Sequence, residues 1–248
     1  QFLHHGPARG PHGFYRVDEL DLTPHLSPAG PNLLAIEVTG YASNSYAYLN
    51  QPAFLQAEIE QEGHIRAATG QDGFSATRLT DRIQKVDRYC FQRPYLEAYR
   101  KNPESDRWRH DPEVSFPTLP CTVQPAKRLL PRRVALPAYE TKPSLGILRR
   151  GGITLSTAPV DRARFGAMPP ETYQVLDSFL PDEFELDVLQ LYQNCTGTDE
   201  APAPDSGRYE LHDLGQNLTG FIQLKVECHR PARLLAVFDE VLLEGDVK

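Results

Sequence analysis

The side chains best suited by type to do chemistry are carboxylates. Asp18, Glu19 and Asp21 crowd one short stretch, Asp182, Glu183, Glu185 and Asp187 another, and Asp239 and Glu240 are adjacent. Two opposed acids, one ionised and one held protonated by its surroundings, are what general acid–base hydrolysis requires. The local spacing argues against it here. Asp21, followed by Leu-Thr-Pro, reads as a turn former, and the 182–187 run alternates like a solvated edge. Neighbours on a strand face opposite sides, so Asp239 and Glu240 cannot converge on one atom. No catalytic residue is assigned in this chain.

Metal chemistry fares no better. His4, His5, His12 and His25 lie in the N-terminal stretch near Asp18, but without H-E-x-x-H or H-x-H spacing. Gly6, Gly10 and Gly13 with Pro7 and Pro11 make this a shaped loop at a domain contact. The cysteines Cys90, Cys121, Cys195 and Cys228 are far apart with no C-x-x-C pair, so neither a metal nor another cofactor is expected. Cys228 continues the series Ile222, Leu224, Val226 and is expected to be a buried thiol. Free thiols suit a reducing cytoplasm and two disulfides would suit secretion, which leaves localisation open.

Sugar recognition uses aromatic rings against C–H faces and amides for hydroxyls. The densest such mixture runs from Tyr41 to Gln51, and Tyr41, Asn44, Tyr46 and Gln51 are the candidate substrate-binding residues. The competing reading is that these tyrosines are strand-face residues that support a sheet. Arg9, Arg16 and Arg93 are expected to hold neighbouring domains through carboxylates or carbonyls rather than to touch substrate.

The elements that would position these residues read as β. Gly13–Thr39 forms a strand–corner–strand unit, with Asp21, Thr23 and Pro24 fixing the corner and Leu22 and Leu26 turned into the core. In its second strand Leu34, Ile36 and Val38 share one face. Further strands are expected at Phe54–Glu60 and Ile65–Thr69 around a turn at Glu62-Gly63, then at Arg208–Leu211, Phe221–Cys228 and Leu234–Phe238, the last two as a hairpin. Pro169–Thr172 opens a short helix. The boundaries are a domain over residues 1–100, a linker over 101–119 and a second domain over 120–248. With 22 prolines and 17 glycines in 248 residues, short strands and many turns are favoured over long helices. A formal charge of −7 with no basic run disfavours nucleic acid as a partner. No apolar run is long enough to predict a membrane span.

Several phrases in order resemble the front end of bacterial α-L-rhamnosidases of the six-hairpin type. They are the corner Asp-Leu-Thr-Pro-His-Leu with Gly30-Pro-Asn-Leu-Leu-Ala-Ile-Glu-Val, the loop His4–Asp18, Asn50-Gln51-Pro52-Ala53-Phe54, Phe91-Gln92-Arg93-Pro94, Asp213–Phe221, and Phe238-Asp239-Glu240. The resemblance implies an all-β chain: a jelly-roll (galactose-binding-like) sandwich lacking its opening strands, then a second antiparallel β-sandwich. It implies a parent glycoside hydrolase that removes terminal α-L-rhamnosyl groups from a glycan or glycoside with inversion, its acids lying in an (α/α) barrel beyond Lys248. With Gln1 first and Met168 its only methionine, the chain is expected to be a fragment, inactive alone, that scaffolds the barrel. A stand-alone carbohydrate-binding or adhesion module is the alternative, and another six-hairpin glycosidase with a different sugar is a third reading.

Overall fold

In the computed structural model the positions described are residues 1–41, 49–88, 95–136, 138–159, 183–202, 206–243 and 245–247. Strand outweighs helix, and the fold is β-rich with several small open sheets. The chain divides into two compact units. Gln1–Ile83 joins Tyr99–Tyr139 in the first, and Gln84–Ala98 joins Glu140–Lys248 in the second.

In the first unit, β1 (Tyr15–Val17) pairs in parallel with β4 (Leu129–Pro131), in register Tyr15 to Leu129. Hydrogen bonds from Tyr15 N–H to the Arg128 carbonyl and from Arg132 N–H to the Val17 carbonyl extend that pairing at both ends. This draws residues 128–132 into the first unit, although the sequence places them past the expected linker. The linker stretch itself carries a 3-10 turn at Arg107–Arg109, flanked by ion pairs of Arg107 with Glu104 and Asp111. The hairpin β2 (Glu58–Gln61) and β3 (His64–Ala68) turns through Glu62 and Gly63, as their sequence predicts. Their φ values of 54° and 75° are those of a type I′ turn, whose twist matches a two-residue hairpin.

The second unit is built on β5 (Gly146–Leu155), flanked by β6 (Cys195–Thr198) and β7 (Arg208–Asp213), both antiparallel to it. Gly151 at the centre of β5 and Gly197 of β6 let the Tyr209 ring lie close: a Cβ on the first would stand 3.1 Å from it, and one on the second only 2.7 Å. A six-residue helix, α1 (Val188–Gln193), is capped by Asp187, whose carboxylate accepts from Gln190 N–H at 2.8 Å. Buried Asp87 accepts from the Val188 and Leu189 amides, at 3.0 and 3.2 Å. It thereby satisfies two donors that a helix N-terminus leaves open. Val86, Tyr95, Ala98 and Leu189 are buried apolar residues of the same unit. Two short strands, β8 (Leu242–Leu243) and β9 (Asp246–Val247), close the described chain.

Several sequence expectations are corrected. Residues 32–40, 221–228 and 234–238 carry no assigned strand. Leu34, Ile36 and Val38 are 38–45% exposed and Phe221, Ile222, Leu224 and Val226 are 52–63% exposed. A period-two pattern buries a face only where a second layer covers it, and these segments have no hydrogen-bonded strand neighbour among the described residues. For the same reason Cys228 is exposed rather than a core thiol. The corner also differs: residues Thr23–His25 form a 3-10 turn that leaves Leu22 partly covered but Leu26 54% exposed. The helix expected at Pro169–Thr172 lies outside the described residues.

Candidate functional site

The most constructed polar cluster of the first unit centres on Asp18, the residue following β1. β1 and β4 run side by side, so the residue after each strand emerges at the same end, and these are Asp18 and Arg132. Arg132 donates through Nε to Asp18 Oδ1 at 2.5 Å and through Nη2 to Oδ2 at 2.8 Å. His4 Nε2 lies 2.6 Å from Oδ2. An ionised carboxylate only accepts, so His4 Nε2 carries the proton. The Asp18 side chain is 5% exposed, His4 8% and Arg132 13%. The Arg132 hydrogen bonds, with His4 behind them, hold the Asp18 carboxyl below its ordinary value against the opposing effect of burial.

Two shallow depressions flank this cluster. One of about 250 Å³ is lined by Val17, Asp18, Pro131, Arg132 and Val134, and one of about 220 Å³ by Leu3, Leu20, Asp21, Leu22 and His25. Glu19 and Leu136 border both. Asp21 is fixed by Thr23, whose amide donates to its Oδ1 at 2.9 Å; hydrogen bonding from the Thr23 side chain, and after it from that amide, lowers the Asp21 pKa. Its sequence reading as a turn former holds in this geometry.

Of the four candidate substrate-binding residues, Asn44 and Tyr46 lie outside the described residues. Gln51 accepts the Tyr15 hydroxyl at 3.1 Å, and the Tyr15 ring stands edge-on to Phe54 at 5.0 Å. This amide thus ties its loop to β1. Tyr41 is partly buried. Arg16 donates to the Pro131 carbonyl at 3.0 Å and so clamps β1 to β4 within one unit, rather than joining neighbouring domains. Arg93 lies outside the described residues.

Among the remaining acids, Asp239 accepts the Glu240 amide at 2.7 Å and so turns back on its own backbone. A Ser–His–Glu relay occurs in the second unit, with Ser144 Oγ 3.2 Å from His212 Nδ1 and His212 Nε2 3.1 Å from Glu210 Oε2. Sequence reasoning missed it, because only the β5–β7 pairing brings residue 144 to residue 212. Its imidazole and carboxylate are each 44% exposed. The neighbouring Leu145 amide donates to the Asp213 carbonyl and is spent as an oxyanion donor. The relay is a surface network that bridges the start of β5 to β7.

Among the described residues no three His, Cys, Asp or Glu side chains gather to hold a metal ion, and no helix is long and apolar enough to cross a membrane. In the first unit the described residues thus offer a part-buried, charge-assisted cluster beside two open depressions. Comparison of the chain with models of protein families, with curated proteins and with solved structures found no match.

Proposed function

We propose that this chain is the non-catalytic N-terminal part of a glycoside hydrolase resembling the α-L-rhamnosidases. In this reading a jelly-roll domain and a second β-sandwich scaffold a helical barrel that carries out the hydrolysis. Two lines support it: the order of the motifs along the sequence, and a β-rich fold in which Asp18, Asp21, Asp187 and Asp239 are hydrogen-bonded within the chain. The observation that carries most weight is the use of Asp18. The most enclosed acid of the motif-bearing corner accepts hydrogen bonds from both Arg132 and His4, and so joins three chain segments. The exposed apolar rows at 33–38 and 221–238 are the kind of surface that other domains of a larger enzyme cover. The parent's partner would be a rhamnosylated glycan or glycoside, bound in the barrel.

The test is expression of the whole reading frame beside residues 1–248, with both assayed on an aryl α-L-rhamnoside and the anomer of the released sugar followed by NMR. Inverting turnover in the longer protein supports the reading. A longer protein with no helical region after residue 248 and no turnover favours the binding module instead.

A further inference from the structure

We propose that the outer edge of β7 takes up residues 222–227 of a second copy of this chain as an antiparallel strand, and that two copies exchange these segments reciprocally. β7 ends the three-stranded sheet, and among the described residues no strand pairs with its far side. The Gly207 and Asp213 carbonyls accept from the Ile153 and Leu145 amides, so the odd-numbered residues turn their backbone groups toward β5. The alternation of an antiparallel ladder then leaves the N–H and C=O groups of Arg208, Glu210 and His212 pointing outward, a template for a further strand. Residues 222–227 are the matching half: they alternate as a strand does, all six are exposed, and they carry no ladder.

One register fits. Setting Arg208 opposite Glu227 puts Glu210 opposite Lys225 and His212 opposite Gln223 on one face, and Tyr209 opposite Val226 and Leu211 opposite Leu224 on the other. Cross-strand pairs of opposite charge and of apolar groups are what hold a ladder together. A slip of two residues brings Arg208 against Lys225 or Glu210 against Glu227, and a slip of one turns every side chain to the wrong face. A parallel approach that keeps Glu210 on Lys225 leaves Arg208 against Gln223 instead of Glu227. The occupant is a second copy because the chain's own residues 222–227 do not pair with this edge. Each copy offers both an edge and a strand, so a two-fold axis closes the pair and every contact occurs twice. The apolar row Ile222, Leu224 and Val226 then continues the Tyr209 and Leu211 face of the sheet and stays open to a covering domain, so the inference is independent of the glycosidase reading.

Sedimentation velocity of the 248-residue chain across a range of concentrations, with amide exchange resolved by residue, tests it. A discrete dimer is expected, with the Glu210 and Lys225 amides protected in the dimer and released on dilution. Arg208→Glu sets like charges opposite one another in both halves of the exchange and should weaken dimerisation about tenfold, as should Glu227→Arg. The double variant Arg208→Glu, Glu227→Arg should restore it. A dimer that both single variants leave at parental strength overturns the proposal, and a double variant no stronger than the single ones overturns the register. A monomer at every concentration overturns the second copy, and charge-swap rescue of that monomer's thermal midpoint would assign the strand to the chain's own β7 instead.

Discussion

Asp18 and Arg132, 114 residues apart in sequence, are joined by two parallel hydrogen bonds across the end of the β1–β4 pair. A fork-to-carboxylate match of this kind fixes geometry as well as charge. It pins one end of a short parallel ladder that the Arg16 clamp and backbone hydrogen bonds also hold.

Replacing that acid should therefore destabilise the first unit. Asp18→Asn keeps the shape but loses the charge and one acceptor, at a cost of about 1–3 kcal/mol in urea unfolding. The pH dependence follows the direction of the shift. The folded carboxyl titrates below its unfolded value, so its contribution is present above the ordinary aspartate range and is lost as pH falls through the folded value. Asp18→Asn should flatten that part of the acid limb. An unchanged midpoint and limb would mean the pair is idle.

The hairpin turn invites a gain. Glu62 sits at φ 54°, a region that costs most L-residues energy and suits asparagine best after glycine. Glu62→Asn should raise stability by about 0.5–1 kcal/mol, read as a higher thermal midpoint. The Glu62 carbonyl that accepts from His64 belongs to the backbone and survives the change.

Gly151 on the central strand of the second unit leaves no room for a side chain. An alanine Cβ there would overlap the Thr198 carbonyl oxygen and press on the Tyr209 ring. Gly151→Ala should cost about 1–3 kcal/mol or more and loosen β6 from β5. Faster amide exchange at residues 195–198 is the expected signature, and parental protection there would contradict the assigned register.

Asp87→Ala should cost about 1–3 kcal/mol, because it strands the buried Leu189 amide and the part-buried Val188 amide. Far-UV circular dichroism should show little change, since α1 is short. The loss should appear as fast exchange at Val188 and Leu189. Retained protection of those two amides would show that another acceptor serves them.

Legibility in the sequence followed the range of each interaction. The Glu62-Gly63 turn and the start of β7 could be read because two residues or one alternating run specify them. β5 could not, since Arg149-Arg150-Gly151-Gly152 breaks the apolar alternation at its centre, where Gly151 makes room for the Tyr209 ring and Gly152 lies against the Glu200 carbonyl. The rows at 34–38 and 222–226 alternate convincingly yet form no ladder, because alternation states a preference for a covered face and does not supply the cover. Asp18 reads by type as a possible acid, but its partner Arg132 is invisible to any local pattern. The Gln51 amide marks it as a candidate by type, and that amide is engaged by Tyr15.

Hydrolysis of an aryl α-L-rhamnoside, measured for the full reading frame beside the 248-residue chain, bears most directly on the scaffold reading. The longer protein should turn over with inversion and the chain alone should not. Turnover by the chain alone that disappears in Asp18→Asn, Asp239→Asn or Glu240→Gln would contradict it.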